Sequence, residues 1–297
     1  MRSDLKLAIL APLLLGCSDA QAPAPVPDPR LQDVILFLSN RNGGRQMHLI
    51  SPAGGEVTPL FPDTAGLPGS GVVYTRPAIS PDGRWIAFTM LSDVWLMRAD
   101  GTEPRNLTDH PGEDGYPAWS PDGARIAFAS NRDGDYDIYV VDADGTDLMQ
   151  VTDAPGRDDG PAWKPDGTQI GFSSDRSGDI DIYLVSLAGG GVVNLTQSSG
   201  SDELPAWSSN GQTIAFTSGR DGFSALYLMD AGGSNVRPLV VDDTLYASFP
   251  AWGPGDSTLV FEGATADFDI WIVRPDGSGL VKLTDSTTLD VTPAWAR

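Results

Sequence analysis

From about residue 33 onwards, short apolar runs alternate with polar turns, and no stretch holds helical spacing. One unit shows the pattern. Pro117-Ala118-Trp119-Ser120 reads as a first strand and Pro121-Asp122-Gly123 as a tight turn. Proline presets the first corner, aspartate bonds its own backbone, and glycine takes the left-handed position. Arg125 to Ala129 is the apolar second strand, and 131–135 a polar connection. Tyr136 to Asp142 is the third strand, Ala143-Asp144-Gly145 a second turn, and Met149 to Thr152 the fourth strand.

The unit repeats about every 40 residues, which argues for one closed array rather than two domains. The second-strand phenylalanine recurs at Phe37, Phe88, Phe128, Phe172, Phe216 and Phe261, and the first-strand proline at Pro77, Pro117, Pro161, Pro205, Pro250 and Pro293. The two sets are offset. The N-terminal unit has strands two to four (34–37, 46–50, 56–60) and lacks a first, while the C-terminus supplies a spare one at Thr292 to Trp295. The pattern predicts an all-β, six-bladed propeller of four-stranded antiparallel blades, closed by one C-terminal and three N-terminal strands. Closure removes the exposed edges of an open array. Trp119, Trp163, Trp207, Trp252 and Trp295 hold a fixed place in the repeat and are expected between blades.

The motifs Pro-Ala-Trp-Ser-Pro-Asp-Gly, Ile-Ala-Phe, Asp-Ile-Tyr and Leu-Thr-Asp resemble the repeats of the TolB-like propeller family over residues 33–297. The resemblance implies a periplasmic protein that binds envelope partners, a peptidoglycan-associated lipoprotein among them. It also leads us to expect a bare propeller, without the α/β domain that precedes the propeller in TolB and without the hydrolase domain that follows it in related peptidases.

The first residues read as an export signal (1–16): Arg2 and Lys6, then an apolar run Leu7 to Leu15, too short to span a bilayer. The run ends in Leu14-Leu15-Gly16-Cys17, which resembles the lipobox of bacterial lipoproteins. On that resemblance Cys17, the single cysteine, is the lipid attachment site, and Ser18 points to the outer membrane, facing the periplasm. Residues 17–32 are Pro/Ala-rich and suit a semi-stiff spacer. The expected protein is an exported, membrane-tethered monomer.

The formal net charge of −21 excludes a nucleic-acid role, because no basic surface neutralises phosphates. It fits solubility, cations or basic partners. Only two histidines occur, His48 and His110, and there is no Gly-x-Ser-x-Gly elbow, so neither a nucleophilic triad nor a transition-metal site is apparent. His48 stands where other units carry Tyr139 or Tyr183, and packing is its expected role.

Carboxylates carry the remaining chemistry. Three residues before the repeat prolines stand Tyr74, Asp114, Asp158, Asp202, Ala247 and Asp290, with Glu113, Asp159 and Glu203 beside them. Fourth-to-first and second-to-third loops share one face, so Asp114, Asp158, Asp202 and Asp290 are expected to ring a channel mouth. Such a ring suits calcium, at those four aspartates, or a basic or peptide segment of an envelope partner. The structural alternative is that these aspartates cap loop amides. Asp93, Asp137, Asp181 and Asp269 begin third strands, with Gln46 and Ala225 in the other blades; Arg41, Arg132, Arg176 and Arg220 sit in the preceding connections of four blades, and Asp–Arg pairs within a blade are expected. The first functional expectation is a non-catalytic, protein-binding envelope propeller that requires no cofactor. Rivals are a carbohydrate lyase or hydrolase using mouth carboxylates, and a glycan- or peptide-binding module.

Overall fold

A computed structural model describes residues 28–41, 43–61 and 75–296. Among these residues the chain forms six four-stranded antiparallel sheets. Blade one takes its inner strand, Asp290–Ala296, from the C-terminus and adds Val34–Ser39, Gln46–Ile50 and Thr58–Pro59. The closing register is Ile35 against Trp295 and Ser39 against Asp290. The remaining inner strands are Thr75–Ile79, Asp114–Trp119, Asp158–Trp163, Asp202–Trp207 and Tyr246–Trp252, in blades two to six. The propeller and its one-plus-three closure are therefore as the repeat predicts.

The sequence also explains the core. The six second-strand phenylalanines are all fully buried. The third-strand aromatic packs beside its blade's phenylalanine, as Tyr139 does against Phe128 at 5.9 Å between ring centroids. His48 takes that place in blade one, 6.0 Å from Phe37, and is buried, so its packing role holds. Tryptophans tie neighbouring blades: the indole N–H groups of Trp119, Trp163 and Trp252 donate to the carbonyls of Ala78, Ala118 and Ala206.

Two boundaries differ from the sequence reading. The inner strand starts at the aspartate, three residues ahead of the proline, because that residue pairs with a second-strand serine, as Asp114 does with Ser130. Inside the expected spacer, Pro29–Leu31 forms a single 3₁₀ turn capped by Asp28, and Leu31 is buried in the core. No helix among the described residues is long and apolar enough to cross a membrane. Cys17, the signal segment and Tyr74 lie outside the described residues.

Candidate functional site

Every inner strand carries the same irregularity. In blade three the pairing jumps from Gly115–Ala129 to Ala118–Ala127, so one extra residue is inserted ahead of the repeat tryptophan. The same shift recurs in blades two, four, five and six, and blade one shifts between Leu36 and Leu38. Such bulges bend a strand and re-aim a side chain. The residue just before each proline takes a left-handed backbone: Arg76 at φ 54°, Tyr116 at 56°, Gly160 at 59°, Leu204 at 58°, Phe249 at 55° and Thr292 at 49°. Five of these six residues carry a Cβ, which makes the conformation costly. A proline next in sequence disfavours helical backbone further.

These six residues and the prolines after them line one central cavity of about 270 Å³. Its wall is mostly apolar. Proline contributes rings and no N–H donors. Arg76 is the cation of the lining, and its guanidinium lies 3.2 Å from the ring centroid of Tyr116 and 4.8 Å from that of Phe249. It has no ion pair among the described residues, and its Nη1 is buried without a hydrogen-bond partner. Thr292 Oγ1 is likewise buried and unpartnered. Burial pulls the pKa of Arg76 down and pushes that of Tyr116 up.

Around this centre lie three carboxylates. Asp159 is buried and accepts from Arg157, and burial raises its pKa against that cation. Glu203 is half-buried and raised for the same reason, with Asp159 adding to the effect. Glu262 accepts from the Thr292 backbone N–H at 2.9 Å, and burial pushes its pKa up to about 7. Glu113 takes a bond from the Tyr136 hydroxyl, whose pKa is pushed up to about 12 by burial and by that carboxylate. Glu113 lines a second cavity of about 300 Å³, next to the first, with Arg157 and Tyr136.

The four inner-strand aspartates are elsewhere employed. Asp114, Asp158, Asp202 and Asp290 are all buried. Each faces an arginine: Arg132 at 3.1 Å, Arg176 at 2.5 Å, Arg220 at 2.9 Å and Arg41 at 2.6 Å. Each arginine Nε donates to the serine opposite the aspartate, as in Arg220 to Ser218 at 2.8 Å. Three of these arginines also stack over the blade's own phenylalanine and tyrosine, and Arg41 over Phe37. The unit is a repeated Asp–Ser–Arg clamp. This corrects the expected arginine partners. Third-strand aspartates instead hold the fourth strand: Asp181 accepts from Asn194 and Thr196, and Asp269 from Thr284 and Lys282. The register explains the exchange, since the serine two residues before each arginine lies directly opposite the inner-strand aspartate.

The structure does not gather the four clamp carboxylates into one cluster. Among the described residues, the acidic groups whose oxygens lie within 4.8 Å of one another in a set of three are Asp133, Asp135 and Asp137, of which only Asp137 is buried. Asp133 and Asp137 accept from Gln150, and Asp135 from the Gly156 N–H. His110 is exposed, and its Nδ1 accepts from the Gly112 N–H. The sequence reading missed the cavity residues themselves. Their signal was the varied residue before an otherwise fixed proline.

The chain matches the TolB beta propeller domain family over residues 70–194 and 148–297. The chain belongs to the TolB β-propeller family. A TolB homolog of Chlorobium luteolum is 30% identical over 34% of this chain and 32% of its own length. This chain therefore spans about a third of that curated relative. Among solved structures, TolB from Acinetobacter baumannii superposes with a TM-score of 0.76 at 21% identity, over 91% of this chain and 68% of that one. A putative TolB from Agrobacterium tumefaciens gives 0.70 at 21% identity, over 86% and 89%. At that identity the TolB structures speak for the fold.

Proposed function

We propose that this TolB-family propeller is a non-catalytic interaction module of the bacterial cell envelope, holding a segment of a partner protein in the mouth of its channel. The observation that carries the reading is the ring of six left-handed residues, one per blade, turned onto one cavity with two unpartnered polar groups. Costly backbone repeated at one place is a mark of a recognition site. The Asp–Ser–Arg clamps support it indirectly: they neutralise the aspartates and leave recognition to the mouth residues Arg76, Asp159, Glu203 and Glu113. The names of the TolB relatives favour the same class of role, and the lipobox-like run favours tethering through Cys17 at the outer membrane.

The test is capture by cross-linking from native membranes. Wild-type chain captures a defined envelope protein, and Leu204→Trp, which fills the cavity, does not. Equal capture by both chains sinks the reading. Metabolic labelling with a fatty acid tests the tether: label is incorporated into wild type and lost in Cys17→Ser.

A second reading, a glycan lyase or hydrolase, has one observation in its favour. Burial raises the pKa of Asp159, Glu203 and Glu262 around the cavity. Against it, Asp159 is held by Arg157 and Glu262 is bonded to backbone. Turnover of an envelope glycan that is lost in Glu203→Gln would establish it.

A further inference from the structure

We propose that Arg76 is an anchor for a single carboxylate, and that the channel takes this group on a slim apolar stalk, as the C-terminus of a peptide or an Asp or Glu side chain. The inference rests on the interaction reading above and names the chemistry that the cavity selects.

Arginine is rarely buried without an anion. Here the guanidinium stacks on Tyr116 and Phe249, with no ion pair among the described residues, and its Nη1 has no acceptor. Stacking satisfies the ring-like face of a guanidinium and leaves the N–H donors along its edge. A planar carboxylate fits that edge with two parallel hydrogen bonds. Thr292 Oγ1, the second unpartnered group of the cavity wall, supplies a third donor.

The surroundings choose the kind of anion. Asp159, Glu203 and Glu262 all act electrostatically with Arg76. A dianion such as a phosphate monoester would meet the repulsion of these three carboxylates with only Arg76 and its neighbour Arg157 to offset it, whereas a monoanion would not overload the site. The wall chooses the stalk. Pro77, Pro117, Pro161, Pro205, Pro250 and Pro293 offer no N–H groups to a ligand. A polyol such as a uronic acid would lose water from its hydroxyls and find few partners, a costly exchange. An alkyl stalk loses nothing polar there, and a peptide end brings one amide in place of the several hydroxyls of a sugar. The volume of about 270 Å³ admits one or two side-chain-sized groups, which suits an inserted terminus or side chain better than a folded surface.

Ligand-observed NMR titration of the purified chain tests this with three probes: N-acetyl-Gly-Leu, its C-terminal amide, and N-acetyl-Gly-Asp-Leu amide. At least one carboxylate probe binds, and N-acetyl-Gly-Leu amide binds about tenfold more weakly or not at all, the usual scale for loss of a charge-assisted pair. Preference between the two acids identifies terminus or side chain as the source. Arg76→Gln loses the acid-over-amide preference while its melting temperature stays near wild type. Thr292→Val weakens the acid by a smaller factor.

Equal binding of acid and amide to wild type overturns the proposal, and so does silence from both acids. That comparison needs no variant, so a poorly folding Arg76→Gln leaves the test intact. Retained acid preference in folded Arg76→Gln also overturns it. The two readings fail separately. Partner capture that needs an open cavity but ignores Arg76→Gln removes the carboxylate anchor alone. Acid preference without any partner capture removes the interaction role alone.

Discussion

Glu262 lies against Thr292, and its side chain accepts the Thr292 N–H from the closing strand. Burial pushes its pKa up to about 7 from a usual 4.5, against that hydrogen bond and the charges of Arg76 and Arg45. The folded chain thus keeps a proton that the unfolded chain releases nearer 4.5. The sign follows: the contribution is full below the unfolded pKa, falls as pH rises, and is gone above about 7. At about 1.4 kcal/mol per unit the loss is of order 3 kcal/mol. Glu262→Gln keeps the size and an acceptor for the Thr292 N–H. Its melting temperature is expected to match wild type near pH 4.5 and to exceed it at pH 8. Identical melting temperatures at pH 8 would contradict this. Nothing in the sequence distinguishes Glu262 from any polar residue after a repeat phenylalanine. Its environment comes from the neighbouring blade's strand. The same holds for Arg76, which reads as one more charged residue until the bulge turns it onto Tyr116 and Phe249.

At the scale of the element, the repeated unit is the clamp between inner strand and second strand. Asp202 is wholly buried and meets Arg220, Ser218 and Ser198. Removing one member of a buried pair leaves the other unpaired, at a cost of about 3–5 kcal/mol. Asp202→Ala is therefore expected to lower the urea midpoint sharply. Asp202→Ala with Arg220→Ala should cost clearly less than the sum of the single changes, and strict additivity would show that the two side chains do not act together. The aspartate was legible as a pattern three residues before the proline, and so was the arginine. Their pairing was not. Arg132 stands five residues from Asp137 and eighteen from Asp114, and only the Asp114–Ser130 register brings the distant partner close. The strands, the turns and the buried phenylalanines were legible, because apolar alternation and Pro-Asp-Gly spacing follow from local backbone chemistry. The residue before each proline was marked only by its variety beside a fixed neighbour, and nothing local showed that a bulge turns it onto the cavity.

Across the whole molecule, the offset between six phenylalanines and six prolines already implied the closure that Val34–Ser39 and Asp290–Ala296 make. Deleting 290–297 exposes the edge of blade one and the core around Trp295. The truncated chain should lose a single cooperative thermal transition and associate; a sharp monomeric transition would contradict the closure's role. The cavity belongs to this scale too, since each blade contributes one left-handed residue and no blade holds the site alone. Photo-cross-linking in intact cells tests recognition through the channel mouth, with a photoreactive residue at Phe249 in the cavity or at Val193 on an exposed outer strand. One discrete envelope protein is expected to cross-link from position 249 and none from position 193. The same product from both positions, or none from position 249, would contradict recognition through the channel mouth.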